Sequence, residues 1–194
     1  MGENNFCTAQ GIRIPDLSGI HCAYETWKNE TGWVFTAVLD APRIPAFLQD
    51  YCALLPVPGY FTLELPAEED GAYDIYYVDG CTRPVLQAIA RRYGNLLAED
   101  GDVRFGFSSH ESPEQIYVGD LKTIQIYTVS PQPIRALLEK YQLPEEPGCQ
   151  KLWDILSDEN PCELIHVEVE EESVFDLPEL LSDAGIYLAG RRAD

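Results

Sequence analysis

The residue groups able to do chemistry in this chain are few, and each falls short on spacing. Ser108-Ser109-His110-Glu111 puts a nucleophile, a base and an acid in one run. Sequence neighbours rarely face each other, so a triad is assembled from separate segments. There is no G-x-S-x-G elbow, and the run is expected to be a polar loop between strands. His21-Cys22 places an imidazole beside a thiol, but a reactive thiolate needs an electropositive pocket. Cys149, Cys162 and His166 stand as C-x12-C-x3-H, one ligand short of a structural zinc site. Glu168, Glu170, Glu171 and Glu172 with Asp176 form an acidic cluster. A carboxylate pair there could act in hydrolysis or hold a divalent ion, but EF-hand spacing is absent and a solvated strand end and loop is expected. No glycine-rich phosphate loop of either common pattern occurs. The expectation is no catalytic residue, no metal and no cofactor.

Charge restricts the partners. Thirteen Lys and Arg against 33 Asp and Glu give a net charge of −20 in 194 residues. A nucleic-acid binder needs a basic stripe to displace counterions, so that class is not expected. No stretch approaches the roughly 18 apolar residues of a membrane span, and residues 1–20 lack the apolar core of a secretory signal. A cytoplasmic protein is expected. Its six cysteines, at 7, 22, 52, 81, 149 and 162, contain no C-x-x-C and are read as free thiols.

The elements that must position any site follow from periodicity. Residues 1–32 show no clean pattern and read as an irregular arm or cover on a single 1–194 domain. Trp33–Leu39 is an apolar, β-branched and aromatic run, hence a buried strand. Ile44–Leu54 has helical spacing and stops at Pro56. Tyr60–Leu65 alternates, with Phe61, Leu63 and Leu65 on one face. A turn at Glu68–Gly71 leads to a strand over Tyr73–Val78. A helix capped by Thr82 runs to about Leu97, with Val85, Ala88, Ile89, Arg92 and Leu96 as its stripe. Val103–Phe107, Gln115–Val118 and Lys122–Thr128 are strands. A helix capped by Ser130 ends near Tyr141, Lys151–Leu156 is a brief helix, and Glu163–Val169 is a strand. Leu177–Leu181 is a short helix and Ile186–Leu188 a last strand. Strand–Pro–helix modules recur at an offset of 49, Ile75–Val85 on Ile124–Ile134. The class is α+β: a two-layer fold of mostly antiparallel sheet with helices packed on one face.

The other face of that sheet is the candidate binding surface. Alternation puts Tyr60, Thr62 and Glu64 on it, with Asp74 and Tyr76 or their neighbours, Gln125 and Tyr127, and His166 and Glu168 expected beside them. Tyrosine is rigid, amphipathic and enriched at binding hot spots, and acidic groups steer a basic partner. Tyr76 and Tyr127 are the expected anchors and Glu64 and Glu168 the rim; the competing expectation is that residues 1–32 or a helix cover this face.

The stretch Val103–Thr128, with FGFSSH then QIYVGDLKTIQIYT before a Ser-capped helix, resembles small acidic immunity proteins of bacterial toxin systems. The resemblance covers about a quarter of the chain. It implies a bacterial cytosolic antidote that binds and blocks a toxin domain, and it carries over no functional residue; the net charge of −20 makes a basic domain the expected partner. The other readings are a small hydrolase using His166 and Glu168 or the Ser108–Glu111 loop, and a structural homo-oligomer subunit.

Overall fold

Ten strands and four helices alternate along the computed structural model, which describes residues 6–68 and 71–193. In chain order they are β1 (Ile12–Arg13), β2 (Ala23–Lys28), β3 (Trp33–Val38), α1 (Ile44–Leu54), β4 (Gly59–Pro66), β5 (Ala72–Cys81) and α2 (Arg83–Glu99). Then come β6 (Arg104–Ser109), β7 (Gln115–Val118), β8 (Ile124–Thr128), α3 (Pro131–Lys140), β9 (Glu163–Leu164), α4 (Leu177–Leu180) and β10 (Tyr187–Ala193). Eight strands form one antiparallel sheet in the order β10-β5-β4-β6-β7-β8-β3-β2. The two-layer α+β architecture expected from the sequence is present. Among the described residues no helix is long and apolar enough to cross a membrane.

Three antiparallel hairpins, β2–β3, β4–β5 and β7–β8, each lead into a helix. Each helix carries proline in its first turn, where the missing N–H costs nothing. Thr82 and Ser130 occupy the expected cap positions, but neither hydroxyl makes a cap hydrogen bond.

The core lies between the helices and one sheet face. Phe35, Phe61, Leu63, Phe105, Phe107, Ile116 and Ile126 are fully buried there, against Ile44, Phe47 and Leu48 of α1 and Leu138 of α3. Each such side chain contributes about 1.5–3 kcal/mol of transfer free energy.

The stripe of α2 is corrected by this packing. Leu86, Ile89, Ala90 and Leu97 are buried, whereas Val85 is 37% exposed. The modules therefore match in burial at an offset of 48, not 49. Leu86 and Ile89 correspond to Ile134 and Leu137, and Tyr76 and Val78 to Ile124 and Ile126. Ile89 and Leu96 belong to both candidate stripes, so helical spacing alone did not choose between them.

Of residues 1–32, residues 6–22 form the expected irregular layer apart from the two-residue β1, but residues 23–28 do not. β2 within them pairs with β3 as the edge of the large sheet. Residues 6–20 join a second apolar cluster with Val38, Ala41, Leu121 and Leu152, and residues 1–5 lie outside the described residues. The Glu68–Gly71 turn is described only at its ends.

The expected strand Glu163–Val169 is cut to β9, paired only with β1. Beyond it Ile165 exchanges backbone hydrogen bonds with Gly11 and Gly101. A Cβ on either glycine would come within 2.4 Å of backbone atoms, so this three-way crossing requires both. The last strand, expected over Ile186–Leu188, runs on to Ala193 along β5.

Candidate functional site

Residues paired across neighbouring strands share a face, so register decides what lies opposite the helices. On β4 these are Tyr60, Thr62 and Glu64. Tyr77 of β5 pairs with Thr62, and Ser108, Gly106 and Arg104 of β6 pair with Tyr60, Thr62 and Glu64. Gly106 pairs with Tyr117 of β7, Tyr117 with Gln125 of β8, and Gln115 with Tyr127. The result is a groove of about 390 Å3 with Tyr60, Tyr77, Tyr117 and Tyr127 around a floor of Thr62 and Gly106. A Cβ on Gly106 would lie 2.6 Å from the Ile116 carbonyl oxygen, so the floor must be glycine there.

The aromatic groups form a continuous row. His110 lies 4.8 Å from Tyr60, Tyr60 5.7 Å from Tyr77 in an edge-on arrangement, and Tyr77 6.2 Å from Tyr187 of β10. Asp79 accepts hydrogen bonds from the Tyr187 hydroxyl and lies 3.2 Å from His110 Nε2. At the far end Glu64 is 2.7 Å from Arg192, and Arg104 is 2.5 Å from Asp120. The Tyr117 hydroxyl hydrogen-bonds both Glu64 and Arg192, and burial pushes it up to about 12. It is a neutral phenol at pH 7. A second hollow of about 350 Å3 continues the groove past Arg104 to Trp153, which is 41% exposed.

The described part of the chain covers only one side of this face. Lys151 reaches Glu25 of β2, and its segment lies over the β2–β3 edge, while the tyrosine groove stays open. Such a surface can stack on a partner and exchange hydrogen bonds with it through phenol, amide and hydroxyl groups.

The expected site residues divide. Tyr127 lines the groove as expected. Glu64 is on the right face but is 4% exposed and held by Arg192, so it forms part of the floor and not a rim. Tyr76 pairs with Leu63 and packs into the core layer on the helix side; its neighbour Tyr77 faces out. The Tyr76-Tyr77 doublet satisfies alternation in either phase, and only the register with β4 selects one. His166 and Glu168 are not on the sheet. His166 Nδ1 sits 3.1 Å from Asp100 Oδ2, its ring 4.7 Å from Phe175, and Glu168 is exposed beyond β9. Tyr117, Tyr187, Arg104 and Arg192 were missed. Tyr117 alternates with Ile116 and Val118, a signal the strand pattern contains, whereas Arg192 needed the long β10.

The other groups are tied to partners. In Ser108–Glu111, His110 engages Asp79 and the Ser109 hydroxyl accepts the Glu111 N–H. His21 pairs with Glu146 at 2.7 Å, and burial pushes the Cys22 thiol up to about 11, far from a thiolate at neutral pH. None of the six cysteines is in a disulfide. Among the described residues no three His, Cys, Asp or Glu side chains converge as a metal site requires. In comparisons with known proteins, the chain matches no family model, no curated protein and no solved structure.

Proposed function

We propose that this chain is a non-enzymatic binding module that docks a basic protein domain on the open face of its sheet. The observation that carries the reading is the groove of about 390 Å3 framed by Tyr60, Tyr77, Tyr117 and Tyr127 on the face no helix covers. Tyrosines grouped around a concave surface are the usual anchors of protein interfaces. The sign of the partner follows from charge. Both arginines on the face are neutralised by Glu64 and Asp120, and the chain as a whole carries −20. That field attracts a basic domain and repels nucleic acid. A cytoplasmic antidote to a basic toxin domain, the role implied by the resemblance of Val103–Thr128 to immunity proteins, fits this surface.

The test is binding kinetics at two salt concentrations against the product of the adjacent gene. Tyr77→Ala and Tyr127→Ala should hasten dissociation with little change in association. Asp79→Asn should slow association, most at low salt. Tyr76→Phe, on the helix side, should change neither. Association independent of salt, or dissociation rates unmoved by both alanine variants, removes this face as the docking surface.

A further inference from the structure

The large sheet ends in β2 on one side and β10 on the other, and only the β2 end is closed. There the Tyr24 N–H donates to the Pro144 carbonyl, and the Tyr24 carbonyl accepts the Glu146 N–H. The Gly148 N–H reaches Glu25 Oε2 in the same strand. At the other end β10 pairs with β5, and among the described residues no strand lies on its far side. In an antiparallel pair every second residue turns its N–H and C=O away from the neighbouring strand. All residues from Tyr187 to Ala193 are exposed.

An edge of this kind is a template for a further strand, and natural edges are commonly guarded by charged side chains. Arg191 and Arg192 are the candidates for that role. Both are turned back across β5: Arg191 Nε lies 2.6 Å from Asp74 Oδ1, and Arg192 lies 2.7 Å from Glu64. Their charges are balanced within the sheet. A bulge falls between Leu188 and Gly190, after which Gly190–Ala193 is a regular run. A Cβ built on Gly190 would meet no atom within 4 Å, and a glycine inside a strand suits the close approach of another backbone.

The two sides of the edge differ in chemistry. Tyr187, 46% exposed, pairs with Tyr77 on the open face, and its hydroxyl donates to Asp79. Leu188, 55% exposed, pairs with Tyr76 on the helix side. An added strand would meet an aromatic ring and a carboxylate on one face and an aliphatic chain on the other. The aromatic row of the groove ends at Tyr187, so the edge continues the docking face.

We infer that β10 accepts an extended basic segment of the docking partner as a ninth strand, its alternate residues apolar toward Leu188 and basic toward Tyr187 and Asp79. Main-chain hydrogen bonds supply the affinity of such an addition, and the alternating side chains supply its selectivity. The inference rests on the docking reading above for the identity of the occupant and on the net charge of −20 for its sign.

The probe is a capped peptide, acetyl-(Lys-Val)4-amide, titrated into the full chain and followed by backbone amide NMR signals. The seven residues of β10 extend about 23 Å, which the peptide spans. One peptide should bind per chain, shifting the amides of Tyr187–Ala193 and slowing hydrogen exchange at alternate ones. Of two twins, N-methylated at every lysine or at every valine, the one whose methyls face β10 should bind at least about tenfold more weakly, because several hydrogen bonds are lost. Acetyl-(Glu-Val)4-amide should also bind at least about tenfold more weakly, by charge. Three results overturn the inference: no shift in β10 at about 5 mM peptide, both methylated twins binding like the parent, or the acidic peptide binding like the basic one. Shifts confined to the groove around Tyr127 count as the first. None of these bears on the docking reading, which fails on its own measurement, the dissociation rates of Tyr77→Ala and Tyr127→Ala.

Discussion

Arg192, in the last strand, lies 2.7 Å from Glu64 of β4, 128 positions earlier in the chain. The Glu64 side chain is 5% exposed and the Arg192 side chain 48%. The cation thus caps a carboxylate embedded in the floor of the groove, and Tyr117 shares the pair through its hydroxyl. One contact both fastens the edge strand β10 and keeps an acidic group in the middle of the binding face.

Removing one partner should therefore cost more than removing both. Arg192→Ala leaves Glu64 buried without its counter-ion and should lower stability by about 1–3 kcal/mol, the solvent-facing arginine keeping the loss below that of a fully buried pair. Adding Glu64→Gln to Arg192→Ala should recover part of it. Urea midpoints for the three variants decide. A double variant no more stable than Arg192→Ala would mean the pair is not the source of the loss.

Lys122 gives a pH dependence of defined sign. It is fully buried, its Nζ donates to the Val103 carbonyl at 2.6 Å, and burial lowers it from 10.5 to about 8. Asp100, Asp102 and Asp120 oppose that shift and Arg104 adds to it. Between pH 8 and 10.5 the unfolded chain binds the proton and the folded one does not. The cost of burying the charge, about 3 kcal/mol from that interval, is therefore complete below pH 8 and fades as pH rises to 10.5. Cysteines and tyrosines also titrate in this range. The effect is read as the stability difference between wild type and Lys122→Met, which should move in favour of the wild type by up to about 3 kcal/mol from pH 7.5 to 10.5. A constant difference refutes it.

The thiols should separate by burial. Cys7 is exposed, whereas Cys52 is fully buried with its thiol pushed up to about 12, and Cys81 is buried and pushed up to about 11. Native protein at pH 8 should label first at Cys7, with Cys52 and Cys81 protected, because the thiolate is the reacting form. Unfolded without reductant, the chain should label at all six positions. Fast native labelling of Cys52, or fewer than six sites on unfolding, would contradict the packing.

Asp100 ties three backbone segments together. It is 0% exposed and accepts the backbone N–H groups of Asp102, Val103 and Val167 as well as His166 Nδ1. Asp100→Ala strands several donors and should cost about 2–4 kcal/mol. His166→Ala, at a side chain 40% exposed, should cost less than about 1 kcal/mol. Thermal or urea unfolding distinguishes them. Equal losses would give the imidazole a larger role than the geometry assigns.

Alternation in Tyr60–Leu65, helical spacing in Ile44–Leu54 and the prolines at helix starts made the α+β class, most elements and the apolar layer legible in the sequence, because these are local properties with periods of 2 and 3.6 residues. The net charge was equally plain. Phase was not. Tyr76 and Tyr77 satisfy the same alternation, and α2 carries two apolar stripes sharing Ile89. Each choice was settled by a partner elsewhere in the chain: β4 for the tyrosines, the sheet for the helix. His166 and Glu168 left the candidate face because the crossing of Gly11, Gly101 and Ile165 ends β9 after two residues, and no short window contains that crossing. Arg192 entered the site because β10 extends along β5 through Arg191 and Arg192, charged residues with no strand signature of their own. Local free energies select elements, but the side of a sheet that a residue faces is set by pairing and packing over long separations, and that was decided only in the tertiary structure.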